Sequence, residues 1–254
     1  MLRKTLTSAL LVASLLTAVM AQAKTITVAV ASNFTKAVEE IGTAWEATTD
    51  HDVQFSFGPS GKLLAQSQHG APFDVYFSAD IKGPQILIDA GKARDLFVYA
   101  RGQLVLFSLE LPVDEHAEAI LAEGEFRYLA VANAKAAPYG LAARQVLEER
   151  GLYQRYQDAG MLATGASVTQ AFQFTTTGNA QLGFIALSQL QDPESPIQGE
   201  GHAWMPPAED YEAIEQGAVA LTRSVHPEVV DSFLAFVRSD RGRAIIQEYG
   251  YDTP

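Results

Sequence analysis

The sequence predicts an α/β fold with parallel sheets, and three observations carry this prediction. Short β-rich runs alternate with helical patterns along almost the whole chain, as in proteins built from layers of strands and helices. The first run, TITVAVA at 25–31, is β-rich throughout, which is typical of a strand buried on both faces of a sheet. Several helical patterns begin directly after a strand, and parallel sheets bind their ligands at such turns. Each strand-to-helix turn is therefore a candidate ligand contact.

The remaining elements follow from periodicity and capping. After the first strand, Ser32-Asn33 stands at an N-cap position, and an apolar helical face follows at Phe34, Ala37, Val38, Ile41 and Trp45. Further strands are predicted at 52–57, 74–79, 102–108, 128–132, 161–164, 181–186 and 218–222. Further helices are predicted at 62–68, 80–91, 141–150 and 168–177, from His226-Pro227, and from Ser239 to Gly250. The acidic stretch 112–124 and the Pro-containing region 192–210 are interpreted as connections.

The first 23 residues have the pattern of a secretory signal peptide. Arg3 and Lys4 precede an apolar run, and Ala21-Gln22-Ala23 forms an A-x-A cleavage site. The apolar run is shorter than the roughly 20 residues that a membrane span needs. The sequence therefore predicts a secreted protein whose mature chain begins at Lys24.

The composition of the mature chain argues against several classes of function. Residues 24–254 carry 16 basic and 30 acidic side chains, a net charge of −14, so nucleic acid and anionic membranes are poor partners. The sequence has no cysteine, which excludes disulfides, thiolate metal sites, a lipid anchor and a cysteine nucleophile. Its five histidines are scattered without metal-ligand spacing, and it contains neither H-E-x-x-H nor G-x-S-x-G. We expect no metal centre, no cofactor and no catalytic site.

Four of the predicted turns share one chemistry. They are VASNFT (30–35), FGPSGK (57–62), AAPYGLAA (136–143) and TGASVTQA (164–171). Each places small or hydroxyl-bearing residues at a helix start, where unpaired N–H groups and the positive end of the helix dipole attract anions. A single such turn is usually only an ordinary cap or β-turn. Four together predict a site for an oxyanion.

The second of these turns is not a nucleotide loop, although it resembles one. A phosphate loop needs G-x-x-x-x-G-K-[ST], with the last hydroxyl on magnesium. Here the segment from Gly58 to Gly61 is too short, and Leu63 follows Lys62. We expect Lys62 to be an exposed residue of the first helical turn that adds attraction at the rim of the site.

Four segments resemble the periplasmic molybdate-binding proteins of ABC importers. They are VASNFTKAVEEI (30–41), FGPSGKLLAQSQHGAPFDVYFSAD (57–80), PYGLAARQVLE (138–148) and GRAIIQEYGY (242–251). The most specific is the second, which matches the family pattern of a Ser-containing loop followed by L-x-x-Q-x-x-x-G-A-P-x-D-x-x-x-S-A-D. The similarity spans essentially the whole mature sequence.

This resemblance implies a two-lobed periplasmic binding protein of class II type, each lobe a mainly parallel sheet flanked by helices. One lobe would comprise 24–101 plus 206–254 and the other 102–205, with the ligand in the cleft between them. The ligand-binding residues implied by position are Ser32, Asn33, Ser60, Tyr139 and Val168. Serine hydroxyls would act at 32 and 60, the Val168 backbone N–H at the fourth turn, and Asn33 as a further donor. The third turn acts through its backbone in some members and through a tyrosine hydroxyl in others.

Two positions depart from the family pattern. Ala186 stands where many members have a tyrosine, and the second loop carries one hydroxyl where several are common. The resemblance still implies a monomer that captures molybdate or tungstate and delivers it to an inner-membrane ABC permease. Two alternatives remain open from the residues alone: a receptor for sulfate or another small anion, and a secreted enzyme acting on a small anionic substrate.

Overall fold

The computed structural model describes residues 23–254, which form two five-stranded sheets flanked by helices. The predicted signal peptide at 1–23 lies outside the described residues, apart from Ala23. The strands are β1 (Thr25–Ala31), β2 (Asp52–Gly58), β3 (Val75–Phe77), β4 (Ala93–Gly102), β5 (Leu104–Ser108), β6 (Leu129–Ala132), β7 (Leu162–Gly165), β8 (Leu182–Ala186), β9 (His202–Trp204) and β10 (Ile214–Leu221). The helices are α1 (Thr35–Glu46), α2 (Ser60–Gln68), α3 (Lys82–Asp89), α4 (Val113–Glu123), α5 (Pro138–Glu149), α6 (Tyr153–Asp158), α7 (Val168–Thr176), α8 (Leu187–Leu190), α9 (Pro227–Val237) and α10 (Asp240–Glu248).

The two sheets have the same design. The first has the strand order β2-β1-β3-β10-β4 and the second β7-β6-β8-β5-β9. In each, the first three strands are parallel, the fourth is reversed, and the edge strand again runs with the first three. The prediction of an α/β protein with two mainly parallel sheets is therefore confirmed.

The chain passes between the sheets twice. It leaves the first sheet at the end of β4, passes through the single residue Gln103 and enters the second sheet at the start of β5. It returns through 205–213, a segment that contacts the helices of the second sheet. There, Arg150 forms an ion pair with Asp210 at 2.8 Å, and the Glu212 N–H donates to Gln145 Oε1 at 3.1 Å. Both passages lie close together, because Ile214 of β10 pairs with Gly102 of β4.

Several element predictions were wrong, and each has a physical reason. The stretch 112–124 is not a connection: it contains α4, whose buried Val113, Ala117 and Leu121 recur every four residues within an acidic sequence. The strand predicted at 102–108 is two elements, because β4 ends at Gly102 and β5 begins at Leu104. The sequence analysis also missed most of β4, together with α6, α8 and β9.

The predicted cap at Ser32-Asn33 was also wrong. Residues 32–34 form one turn of 3-10 helix, and neither side chain makes a capping hydrogen bond to the helix that follows. By contrast, the Oγ atoms of Ser167 and Ser239 accept from the N–H groups of Gln170 and Gly242, at 3.3 and 3.2 Å, as helix caps do.

Two large hydrophobic clusters occupy the interior, one packed on each sheet. The first contains Trp45, Phe34, Phe77 and Phe233, and the second Leu106, Val146, Phe184 and Tyr156. Helix α5 lies very close to β6 in the second cluster: a methyl group on Gly140 would be 2.3 Å from the Ala132 carbonyl oxygen. Within residues 23–254, no helix combines the length and apolar character needed to cross a bilayer.

We therefore expect Gly140→Ala to lower the free energy of unfolding by about 1–3 kcal/mol, because the added methyl must displace backbone atoms. The matched control is Gly58→Ala, where a methyl would meet the Leu63 side chain at an ordinary 3.6 Å. Urea unfolding of both variants measures the difference. Equal losses in the two would contradict the close approach of α5 and β6.

Candidate functional site

The five residues predicted to bind a ligand line one small cavity between the two sheets. Four turns supply most of its lining, and each follows the carboxyl end of a parallel strand: β1 and β2 in the first sheet, β6 and β7 in the second. The segment after β3 adds Ala79. The cavity is lined by Ala31, Ser32, Asn33, Pro59, Ser60, Ala79, Ala137, Pro138, Tyr139 and Val168. None of these side chains is a carboxylate or a cation, so the lining offers polar groups without formal charge.

Ser60 is the best-defined hydroxyl donor of the cavity. It begins α2 and is 3 % exposed. Its Oγ accepts the Ala79 N–H at 3.0 Å, and its carbonyl accepts the Tyr76 hydroxyl at 2.9 Å. The Ala79 contact occupies a lone pair of the hydroxyl oxygen and leaves the hydrogen, for which residues 23–254 supply no acceptor. Ser60 is therefore oriented to donate.

Three helices begin at the cavity, and their first N–H groups have no intrahelical partner. Ser60, Tyr139 and Val168 stand at or next to the first positions of α2, α5 and α7. In the described part of the chain, no carbonyl or side chain accepts their backbone N–H groups. Pro138 fixes the start of α5, because its ring sets the backbone angle that a helix needs. These amides and the helix dipoles together favour an anion.

The first turn offers the cavity a backbone donor at Asn33, because the side chain of this residue is bonded elsewhere. The Asn33 amide nitrogen donates to Gln216 Oε1 at 2.8 Å and to the Tyr251 hydroxyl at 3.1 Å. Both side-chain donors of Asn33 are thus engaged within the protein, and its backbone N–H is what remains for the cavity. The Ser32 carbonyl accepts the hydroxyls of Thr35 and Thr169, at 3.0 and 3.2 Å. Because C=O and N–H point in opposite directions in a trans peptide, these bonds also fix the direction of the Asn33 N–H.

Contacts between the two sheets' turns close the cavity on both sides. The Gly61 N–H donates to the Ala136 carbonyl at 3.0 Å on one side. On the other side, the Ser188 hydroxyl donates to the Asn33 carbonyl at 3.2 Å, and Lys36 forms an ion pair with Glu194 at 2.7 Å. The structure therefore shows the four turns in mutual contact, as in a cleft that has closed.

A second, larger cavity adjoins the first and opens to solvent. Ser60, Ala79, Ala137 and Pro138 border both cavities, so the two are adjacent. Lys82 and Lys135 line the larger cavity. The expected rim residue Lys62 is not among its lining residues, although it lies in the same helix turn as Ser60.

Sequence reasoning missed several residues around the cavity. Ala79 holds Ser60, Thr169 holds the Ser32 carbonyl, and Gln216 and Tyr251 hold Asn33. Of these, Ala79 had a signal, since it lies in the S-A-D triplet of the matched motif. Ala186 is fully buried in β8 and is not among the residues that line the small cavity.

The electrostatics of the site are those of neutral buried groups. Burial raises the pKa of Tyr139 well above its usual range, and the nearby Tyr251 acts in the same direction. Burial also raises the pKa values of Tyr99 and Tyr251, which lie behind the first turn. Within residues 23–254, no group of three or more His, Asp or Glu side chains is placed to hold a metal ion. The cavity can therefore donate hydrogen bonds to an anion but offers no charged side chain.

Comparisons with known proteins show which sequences and folds this chain is similar to. The family model described as bacterial extracellular solute-binding protein matches residues 26–252. The molybdate-binding protein of Azotobacter vinelandii is 40 % identical over 233 residues, which cover 91 % of each chain. That of Rhodobacter capsulatus is 38 % identical over 227 residues, covering 89 % of this chain and 87 % of the relative. A solved structure of the periplasmic molybdate-binding protein of Azotobacter vinelandii has a TM-score of 0.85 at 36 % identity, over 90 % of this chain and 99 % of the other.

The buried tyrosines make the fold sensitive to alkaline pH. Their folded-state pKa values lie above the unfolded value of about 10, so their stabilising effect is complete below pH 10 and is lost as pH rises further. We expect the free energy of unfolding to fall above about pH 10, and to fall less steeply in Tyr139→Phe. Urea unfolding across this pH range measures both slopes. Equal slopes in the two proteins would contradict the assignment to Tyr139.

Proposed function

Because the chain belongs to the bacterial extracellular solute-binding protein family, and within it to the molybdate-binding proteins, we propose that it captures molybdate or tungstate in the small cavity and delivers the oxyanion to an ABC importer. The observation that carries the proposal is the set of donors at the cavity. It consists of the Ser60 hydroxyl, the Ser32 hydroxyl and unpaired backbone N–H groups at the starts of three helices. Similarity to two molybdate-binding proteins supports the proposal.

The chemistry of the donor set suits a fully deprotonated dianion. Molybdate and tungstate carry no proton at neutral pH, so all their oxygens accept hydrogen bonds. A hydrogenphosphate ion would need an acceptor for its own proton, and none of the lining residues carries a carboxylate. A buried charge costs free energy unless it is fully hydrogen-bonded, so each donor of the cavity counts. Sulfate also lacks a proton at this pH, so the donor set alone does not distinguish it from molybdate and it must be titrated as well.

Delivery requires a cleft that opens and closes. The passages between the sheets lie at Gln103 and at 205–213, and the second is attached to the second lobe through Asp210 and Glu212. We therefore place the hinge at 102–104 and 212–214, which moves the lobe boundary from the 206 expected from the sequence to about 213. The lobes are then 24–102 plus 214–254, and 104–212. Ligand bound to turns of both lobes would favour the closed form.

The biological setting follows from the same family. We propose a periplasmic, monomeric receptor, made with the signal peptide at 1–23 and received by an inner-membrane permease. The related proteins are binding proteins, and the residues at the cavity include no nucleophile paired with a base. We therefore assign the chain no catalytic role.

The proposal predicts the ligand profile of the mature protein, stripped of ligand and studied by calorimetric titration. We expect tight one-to-one binding of molybdate and tungstate, with no heat from phosphate. Binding of sulfate with equal strength would change the assignment to a general oxyanion receptor. No heat from molybdate, tungstate, sulfate or phosphate would overturn the proposal and leave the four turns with a purely structural role.

Ser60→Ala tests the donor set directly. Removing this hydroxyl should weaken molybdate binding by about 1–3 kcal/mol, or roughly 5- to 150-fold, because a buried charged oxygen loses its partner. Ser67→Ala is the matched control: it changes a buried serine of the same helix whose hydroxyl donates to the Leu63 carbonyl at 2.9 Å. Calorimetric titration of both variants with molybdate measures the difference. Equal weakening by the control would mean that α2 stability, and not a donor, is being measured.

A further inference from the structure

A buried polar network lies behind the first turn of the site and joins the two lobes. The Gln216 Oε1 atom accepts from Asn33 at 2.8 Å and from the Tyr99 hydroxyl at 2.9 Å. The Tyr251 hydroxyl donates to the Asn33 carbonyl at 2.7 Å and lies 2.9 Å from Ser188 Oγ of the second lobe. Gln216 is fully buried in β10, next to the second passage between the lobes. The network therefore fixes the first turn from behind.

Two atoms at the edge of this network have no hydrogen-bond partner. They are the Tyr139 hydroxyl oxygen and Gln216 Nε2, and in the described part of the chain the remaining buried side-chain atom of this kind is Ser195 Oγ. Tyr139 is 2 % exposed and Gln216 is 0 % exposed. An unpaired buried polar group costs about 1–3 kcal/mol, so two of them at one place call for an explanation.

The two atoms are neighbours beside Gly102, the last residue of β4. A methyl group on Gly102 would lie 2.1 Å from the Tyr139 hydroxyl oxygen and 2.8 Å from Gln216 Nε2. An amide N–H can donate to a phenol oxygen, so the two atoms are complementary. Gly102 leaves the room that the tyrosine needs to reach this position from the other lobe.

We propose that Gln216 is a positioning residue that joins the first turn of the site to the third, and that its bond with the Tyr139 hydroxyl is a latch of the closed form. Its oxygen holds Asn33 of the first lobe, and its nitrogen meets Tyr139 of the second. When the lobes separate, Tyr139 leaves with α5 and the bond breaks. This inference rests on the proposed function, since a latch matters where a ligand is enclosed, and it moves the Tyr139 hydroxyl from ligand donor to interlobe contact.

A double-mutant cycle separates the latch from direct ligand donation. We expect Tyr139→Phe to raise the Kd for molybdate about 3- to 10-fold, the effect of one ordinary hydrogen bond. Gln216→Met should raise it at least as much, and the double variant should match Gln216→Met alone. If the fold-changes in Kd of the two single variants multiply in the double variant, Tyr139 acts independently of Gln216 and the latch is overturned. Unchanged Kd values in both single variants would overturn it as well.

Tyr156→Phe is the matched control for the cycle. Tyr156 is a buried tyrosine of the second lobe whose hydroxyl donates to the Leu121 carbonyl of that lobe. Its substitution should lower stability and leave the Kd for molybdate unchanged. If Tyr156→Phe raises the Kd as much as Tyr139→Phe does, the lower stability of the second lobe explains both increases.

Interlobe distances test the latch without any ligand. The chain has no cysteine, so spin labels can be attached only to cysteines that are introduced. Ala90→Cys and Gln157→Cys place one label on an exposed position of each lobe. We expect Tyr139→Phe and Gln216→Met to shift the ligand-free distances towards the open form, and Gly102→Ala to do so by steric exclusion. Distances equal to those of the unsubstituted protein would overturn the latch. If the unsubstituted protein binds neither molybdate nor tungstate, the proposed function is refuted, but the ligand-free distances still test the latch.

Discussion

A dianion in a buried cavity without a counter-ion needs every one of its hydrogen-bond donors in place, and the proposed site depends on this constraint. Water solvates such an ion strongly, so a protein that removes the water must replace it with fixed N–H and O–H groups. The two sheets supply them in the same way. In each sheet, two adjacent parallel strands end at the cleft. The turns that follow these strands bring the turn at Ser32 and the starts of α2, α5 and α7 together around one cavity.

The donors are kept ready by bonds that lie outside the cavity. Ala79 takes up a lone pair of the Ser60 hydroxyl, Thr169 and Thr35 hold the Ser32 carbonyl, and Gln216 holds Asn33. These contacts lower the cost of ordering the site when the ligand arrives, which is what preorganisation means in energetic terms. The small cavity has no charged side chain in its lining, so binding there would depend on hydrogen bonding and shape. The larger cavity is lined by Lys82 and Lys135 and also by Asp80, Glu212 and Glu215.

The sequence carried the parts of this design that depend on local pattern. Continuous β-rich runs identified β1, β6 and β8, and all five predicted site residues line one cavity, because turns after parallel strands meet at one edge. Their roles in binding remain predictions. The helix α4 was missed because its three buried positions lie in an acidic stretch. The bond that engages the Asn33 side chain could not be predicted, because its partner Gln216 lies 183 residues away. No local signal marks such a partner.

The most direct measurement is a diffraction experiment on crystals of the mature protein grown with tungstate, using the anomalous signal of the metal. We expect one strong peak in the cavity between the four turns. The oxygens around it should lie about 2.7–3.2 Å from Ser60 Oγ and from the amide nitrogens of Tyr139 and Val168. A peak at Lys82 or Lys135 with the cavity unoccupied would contradict the donor cage, as would the absence of any bound tungstate.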